Sequence, residues 1–367
     1  MKRIICIVDS MNTGGAETFL MKLYRAIDRS KYQIDFIVSD KGFYDDEIAQ
    51  MGGIVNYIPL RTKHPYIAFK RIKEIIKAGN YKSVLKFGST PIVALDLLAA
   101  KKGGAIYLGV RSCNSFAEES FIYKAMNTIC KPLFNRIVNL KIAPSDLAAC
   151  FTFGEKSYSN GEVNILHNAV DLNYFKFSEI KRSKIRNELD LDDKFNIYGH
   201  IGRFSKQKNH EYLIEIFKYI HEMDPYSKLV LVGTGELKSE IERKVDDYNL
   251  TDSVIFLGVR KDIPDILSAI DLFVFPSFFE GMPNTVVEAQ AVGLPCIVSD
   301  TITRQANITG VVSYMSINDN AESWARECFN HPKERKETTA QFIKSGYNID
   351  YIVKEFVDIM VGDNCEK

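Results

Sequence analysis

Residues 271–299 read DLFVFPSFFEGMPNTVVEAQAVGLPCIVS, and they carry the architecture of the chain in miniature. A continuous apolar run, 271–276, stops at Pro276, and a loop holding Glu280 and Gly281 follows. Pro283 stands where the first turn of a helix over 284–292 would begin, and Gly293 with Pro295 ends that helix. A second apolar run, 295–299, starts at once. Strands apolar at every position, rather than at alternate ones, are buried on both faces. A parallel sheet covered by helices on each side produces that pattern.

The same alternation extends in both directions. In the second half, apolar runs at 196–202, 228–233 and 254–259 alternate with helical patterns at 209–223, 237–248 and 262–270. In the first half, strands are expected at 3–9, 34–38, 54–60, 84–87, 106–110 and 140–144, with helices such as 15–27 and the basic 67–78 between them. Two such series predict two doubly wound α/β domains, and 367 residues suit two domains of somewhat under 200 each. The first series ends near His167-Asn168-Ala169-Val170-Asp171, before a polar stretch at 178–194. The expected division is therefore 1–170 and 171–347, with 348–367 a C-terminal helix crossing back to the first domain. Open α/β sheets bind ligands beyond the carboxyl ends of their strands, so the chemistry is expected in loops that follow strands.

Composition removes several function classes. No apolar run is long enough to cross a bilayer. The opening Met1-Lys2-Arg3-Ile4-Ile5-Cys6-Ile7-Val8-Asp9 is a first strand rather than a secretory signal. Seven cysteines without CxxC spacing suit reduced thiols in the cytoplasm. The zero net charge hides a polarised chain: residues 1–170 hold 23 Lys/Arg against 15 Asp/Glu, and the remainder 24 against 32. That excess of cations in the first half suits either an uneven solvated surface or an anionic surface partner, with nucleic acid not expected.

Three loops concentrate reactive residue types. Ser10-Met11-Asn12-Thr13-Gly14-Gly15-Ala16-Glu17 follows a strand and opens a helix, where free N–H groups favour an anion. Because it is not GxGxxG, a dehydrogenase is disfavoured. Tyr198-Gly199-His200-Ile201-Gly202-Arg203 delivers an arginine from a strand end, and Lys206 and Lys208 compete as its lysine partner, with Asn209 as a helix N-cap. A guanidinium fork and a mobile ammonium together suit a diphosphate. In the opening segment, Glu280 lies in the loop and Glu288 on the second helical turn, with N–H groups near Asn284 and Thr285 able to face a phosphate. The six histidines show no metal-ligand spacing, and each reads as structural.

Together these segments resemble the retaining nucleotide-sugar glycosyltransferases of the GT-B fold, in particular family 4. The likeness rests on Gly14-Gly15-Ala16-Glu17, the Gly-Arg…Lys segment, His167–Asp171, Val254–Ile263, and a Glu-x7-Glu signature at Glu280 and Glu288. It implies two Rossmann-like domains facing a central cleft, an acceptor-binding first domain and a nucleotide-sugar-binding second. It further implies that Arg203 and Lys208 neutralise the donor diphosphate and that Glu288 accepts the ribose hydroxyls. Glu280, Gly281 and Met282 would hold the donor sugar, with Pro283, Asn284 and Thr285 beside the phosphates. Gly15 would leave room for phosphate, and Val259 and Arg260 would frame the base, expected to be uridine. Glu280, Arg203 and Lys208 are the expected catalytic set. No metal or other cofactor is expected, since fixed cations would compensate the leaving diphosphate and no Asp-x-Asp is placed for a divalent ion.

The sequence departs from that family in one segment. Many relatives carry a histidine after the fifth strand, whereas this chain has Gly109-Val110-Arg111-Ser112-Cys113-Asn114-Ser115. Arg111 or Asn114 takes that place, and an arginine, unable to act as a base near neutrality, would hold an acceptor diphosphate or a donor hydroxyl. The expected function is transfer of a hexose or N-acetylhexosamine to a lipid-linked or saccharide acceptor in surface polysaccharide assembly. The alternatives are a nucleotide-sugar epimerase of the same fold and a non-catalytic sugar-nucleotide-binding subunit. The first lacks its acid and histidine set here, and the second is disfavoured because both glutamates and both cations are present. The basic stretch 61–77, with Lys63, Lys70, Arg71, Lys73 and Lys77 around a face of Ile72, Ile75 and Ile76, suggests peripheral contact with the anionic inner membrane face.

Overall fold

Lys2–Ile7 (β1) shows why the sheets form: Ile4, Ile5, Cys6 and Ile7 are all fully buried, and alternate residues feed two different cores. Ile4 and Cys6 pack on one face of the sheet, Ile5 and Ile7 on the other. The computed structural model describes residues 1–12, 14–113 and 121–361. Within them β1 is joined by β2 (Tyr32–Val38), β3 (Val55–Tyr57), β4 (Ser83–Phe87), β5 (Tyr107–Arg111), β6 (Leu140–Ala143) and β7 (Val163–Ile165). All pairings are parallel, in the order β3-β2-β1-β4-β5-β6-β7. A second parallel sheet has the order β10-β9-β8-β11-β12-β13. Its strands are β8 (Asn196–Ile201), β9 (Ser227–Val232), β10 (Val254–Gly258), β11 (Leu272–Phe275), β12 (Cys296–Ser299) and β13 (Val312–Met315).

The expected strands are present, and two more, β7 and β13, were not foreseen. Both are sheet edges of three or four residues with only their first residue buried, so neither shows a continuous apolar run. In each sheet the winding reverses beside the first strand of the series, between β1 and β4 and between β8 and β11. At such a point the connections leave in opposite directions and open a crevice beyond the strand ends.

The chain divides into two compact units, Met1–Ala169 with the segment from Tyr347 onward, and Val170–Gly346. Tyr347, expected in the second domain, belongs to the first because its ring stacks on His167 at 4.3 Å. The helix Ile349–Val361 buries Ile349, Ile352, Phe356 and Met360 in the core under α1 (Gly15–Ala26), and the Ser83 hydroxyl donates to the Met360 carbonyl. In the first unit α2 (Asp45–Gln50), α3 (Pro65–Ala78), α4 (Ala94–Gly103) and α5 (Phe121–Ile137) cover the sheet. On α3, Ala68, Ile72 and Ile76 are buried and Ile75 partly so, while Lys70, Arg71, Lys73 and Lys77 face water. Arg61 turns inward instead, its Nε 2.7 Å from Asp96, which also neutralises the buried Lys86 at 3.4 Å. Among the described residues no helix is long and apolar enough to cross a membrane.

The core of the second unit contains two uncharged histidines. His200 on β8 shares its Nδ1 with the Val274 carbonyl at 2.9 Å, and its ring meets His210 edge-on at 4.6 Å. His210 stacks on Phe204 at 4.2 Å. Burial lowers both groups, His200 under the further influence of His210, and His210 down to about 3, with the nearby Lys208 adding repulsion. The unfolded chain, whose histidines titrate near 6.5, therefore binds more protons than the folded one between that pH and 3. Stability is complete above about pH 6.5 and is lost as pH falls through that window. His210 alone should remove about 2 kcal/mol at pH 5. The unfolding midpoint of wild-type protein should fall between pH 7 and pH 5 more steeply than that of His210→Phe. Parallel profiles would show that the buried ring does not set the acid limb.

Candidate functional site

The crevice between β8 and β11 is where the second unit collects its chemistry. Beyond β8 the chain passes Gly202 and Arg203 and makes a short turn at Lys206–Lys208. Beyond β11 it runs from Pro276 to Glu280. The two loops are bonded together: Gln207 Nε2 donates to the Phe279 carbonyl and the Phe278 N–H to the Gln207 carbonyl, each at 2.9 Å. Asn209 completes the seam. It adopts a left-handed conformation, φ 55°, and its Nδ2 donates to the Pro276 carbonyl at 3.1 Å. That corrects the expected side-chain cap, because the amide is directed to the neighbouring loop and makes no capping bond to the helix it precedes.

At the centre of the seam Lys208 Nζ donates to Glu280 Oε1 at 2.6 Å, the two side chains being only 17% and 11% exposed. The ammonium also lies 4.6 Å from the centre of the Phe275 ring. Two residues given separate roles from sequence are thus one ion pair, and Lys206, its competitor, faces solvent. A pair so nearly withdrawn from water is sensitive to loss of either member, since the survivor is left as an uncompensated charge. A bound anion approaching Lys208 therefore meets a cation whose direction is already set by Glu280.

Arg203 stands apart, 73% exposed and paired with Glu236 at 3.0 Å. Backbone donation and the nearby guanidinium hold the Glu236 carboxyl below its usual range. Sequence reading missed what supports this arginine. Gly233 and Gly235, after β9, lie so close to the β8 loop that a Cβ would come within 2.1 Å of the Gly202 carbonyl oxygen and 2.4 Å of the Phe204 carbonyl oxygen. Without side chains there, the Phe204 N–H reaches the Thr234 carbonyl and the Leu237 N–H the Phe204 carbonyl, both at 3.1 Å. The Gly-Thr-Gly at a strand end was the available signal.

The helix Asn284–Ala291 begins beside Glu280. Pro283, expected in its first turn, precedes it as an extended cap that supplies no side-chain acceptor, so the first-turn N–H groups lack side-chain capping from that residue. Thr285 has a buried hydroxyl without a hydrogen-bond partner among the described residues. Glu288 is buried one turn further on, and Gly281 and Met282 are half-buried. Gln290 was also missed: its amide donates to the Ala306 carbonyl and accepts from the Ile308 and Thr309 N–H groups, fixing the following loop.

Beyond β10, Val259 is exposed, while Arg260 is clamped by Glu188 at 2.6 Å and Asp262 at 2.7 Å, which raise its pKa. In the first unit Gly15 is the exposed first residue of α1. Arg111, expected to meet a ligand, is 2% exposed at the end of β5, and burial lowers it to about 10. Its Nη2 donates to Asn168 at 2.8 Å and to the Leu166 carbonyl at 3.3 Å, and its Cζ lies 3.7 Å from the centre of the Phe19 ring. Asn114 lies outside the described residues. Nearby, burial raises the pKa of Glu17, whose carboxylate folds back over Gly14.

Arg203, Lys208, Glu280–Thr285 and Glu288 are thus gathered by one unit around its switch point, while Gly15 and Arg111 belong to the other. Two all-parallel, doubly wound units with this arrangement define a GT-B glycosyltransferase fold. The chain belongs to the group 1 glycosyl transferases. The family model for "Glycosyl transferases group 1" matches residues 181–348. The chain is 31% identical over 375 residues to EpsF of Bacillus subtilis, covering 98% of this chain and 96% of that protein. It is 41% identical over 306 residues to the Escherichia coli UDP-Gal:alpha-D-GlcNAc-diphosphoundecaprenol alpha-1,3-galactosyltransferase, 78% of this chain and 76% of that one. The fold is similar to that of Anabaena HepE, solved with UDP-glucose, at a TM-score of 0.78 and 20% identity over 98% and 99% of the two chains.

Because Gly233 combines φ +135° with a 2.1 Å approach to Gly202, Gly233→Ala should both strain the backbone and displace the loop that carries Arg203. Strain and overpacking together should cost about 2–5 kcal/mol, read as a lowered denaturation midpoint. An unchanged midpoint would mean that the two loops separate freely.

Proposed function

We propose that this enzyme transfers one hexose or N-acetylhexosamine, with retention, from a uridine-diphosphate sugar to a lipid-linked saccharide acceptor during surface polysaccharide assembly. The observation that carries this reading is the Lys208–Glu280 pair at the switch point, with Arg203 on the loop that also carries Lys208 and the Asn284–Ala291 helix starting beyond Glu280. Support for donor and acceptor comes from the E. coli relative, named for UDP-Gal and a diphosphoundecaprenol acceptor. A Campylobacter jejuni relative, 26% identical over 82% of this chain, is also named for a diphospho-undecaprenol acceptor.

The chemistry follows from charge. Breaking the anomeric C–O bond places negative charge on the leaving diphosphate and positive charge on the ring. Lys208 and Arg203 compensate the first without needing a divalent ion, aided by the helix N–H groups. Glu280 orients Lys208 and accepts a hydroxyl of the sugar, so the two ends of the breaking bond are held through one ion pair. Glu288 accepts the ribose hydroxyls, and the backbone of Gly281 and Met282 lines the sugar. Lys206 recedes as the alternative lysine, because Lys208 is the one held by Glu280, while Val259 and Arg260, the latter fixed by Glu188 and Asp262, frame the base.

Glu288→Ala should weaken binding of UDP, measured by calorimetry. Glu280→Ala should leave UDP binding near wild type and lower kcat about a hundredfold, the effect of roughly 3 kcal/mol at the transition state. These rates should be the same in EDTA. Equal loss of nucleotide binding in both variants, or turnover abolished by EDTA and restored by a metal, would overturn the assignment.

The exposed lysines of α3 also support peripheral adsorption to an anionic bilayer, each near-surface cation contributing about 1 kcal/mol. The protein should co-sediment with phosphatidylglycerol vesicles at low salt and leave them as salt rises. Equal recovery with neutral vesicles would argue against an electrostatic origin.

A further inference from the structure

The first unit has a second surface that the transfer reaction does not use. Between α4 and α5 lies a cavity of about 340 Å³ lined by Leu98, Lys101, Lys102, Leu133, Arg136 and Ile137. Its floor is aliphatic and its rim is cationic, with no carboxylate in the lining. One turn before Leu133 on the same face of α5, Ile129 is 76% exposed, and Met126 extends the stripe toward the helix start. Lys102 also lies 5.6 Å from the centre of the Phe69 ring, which ties this edge to α3.

The charge around the groove is one-sided. The described side chains of α3, α4 and α5 include Lys70, Arg71, Lys73 and Lys77, then Lys101 and Lys102, then Lys131 and Arg136. The acids on the same helices are Glu74, paired with Lys70 and Arg71, and Asp96, buried against Arg61 and Lys86. An exposed aliphatic stripe costs free energy in water unless something apolar covers it. An occupant must therefore combine a hydrocarbon body with an anionic head.

We infer that the α4–α5 groove holds one hydrocarbon chain of an anionic phospholipid, its phosphodiester between Lys101, Lys102 and Arg136 and its chain along Leu98, Leu133 and Ile129. This rests on the membrane adsorption proposed above and adds a specific site to it. Adsorption through α3 alone would keep the protein on the surface, whereas a chain in this groove places Ile129 below the headgroups. The basic rim and apolar floor thus select for charge and acyl chain together.

A single tryptophan in the whole chain makes the test direct: Trp324 is fully buried in the second unit and is a constant background. Ile129→Trp adds a reporter at the groove, and Ile180→Trp, at a position 83% exposed in the second unit, serves as the control. Both variants are mixed with vesicles of phosphatidylglycerol and phosphatidylcholine whose chains carry bromine. The reporter at 129 should shift to the blue and be quenched, while the one at 180 should not. Lys101→Gln with Arg136→Gln should weaken vesicle binding by more than the roughly thirtyfold expected for the loss of two independent surface cations. Vesicle binding with an unquenched reporter at 129 overturns the groove and leaves surface adsorption standing. Absence of binding to anionic vesicles overturns both.

Discussion

Parallel strands cannot be joined by tight turns, so successive strands within each sheet of this protein are linked by crossovers that must pack on one face of the sheet or the other. Where the crossovers change face, between β8 and β11, the sheet edge is left open. The second unit fills that opening with loops, and loops at a sheet edge have unpaired backbone groups that need partners. The Gln207–Phe279, Phe278–Gln207 and Asn209–Pro276 bonds supply some of them. The Lys208–Glu280 pair is the charged member of that seam, and its placement follows from the topology rather than from either residue alone.

The rest of the unit is organised to keep the seam in place. Gly233 and Gly235 let the β9 loop press against the β8 loop, and Gln290 anchors the chain that follows the Asn284–Ala291 helix. Behind the seam, His200, His210 and Phe204 form an aromatic stack whose histidines are uncharged. An apolar stack beside Lys208 keeps the local dielectric low, which strengthens its attraction to Glu280 and to any anion brought there. The cost is a core that resists acid poorly.

The two units use positive charge differently. In the second, Lys208 and Arg203 lie on the loop beyond β8, one largely buried against a carboxylate and the other held at the surface by Glu236. In the first, Arg111, Arg61 and Lys86 are consumed internally by Asn168, Asp96 and backbone carbonyls. Other cations stay outside, among them Lys70, Arg71, Lys73, Lys77, Lys101, Lys102, Lys131 and Arg136 on α3, α4 and α5, where they can meet a surface instead of a small substrate. Excess charge in the first half of the sequence therefore resolves into an interior part that is structural and an exterior part that is not.

The sequence by itself determined the α/β class, the parallel sheets and the core strands, because a strand buried on both faces must be apolar at every position. It also singled out the loops after β8 and β11, since glycine, proline and charge there break that apolar pattern. It could not find β7 and β13, whose half-exposed edges carry no such signature. Nor could it see that Lys208 and Glu280, 72 residues apart, are one ion pair. The inward turns of Arg111 and Arg61, and the use of Asn209 as a bond between loops rather than a cap, were equally hidden. These are facts about which distant segments meet. Pattern along the chain records whether a residue is buried, but only the tertiary structure decides which partner it is buried against.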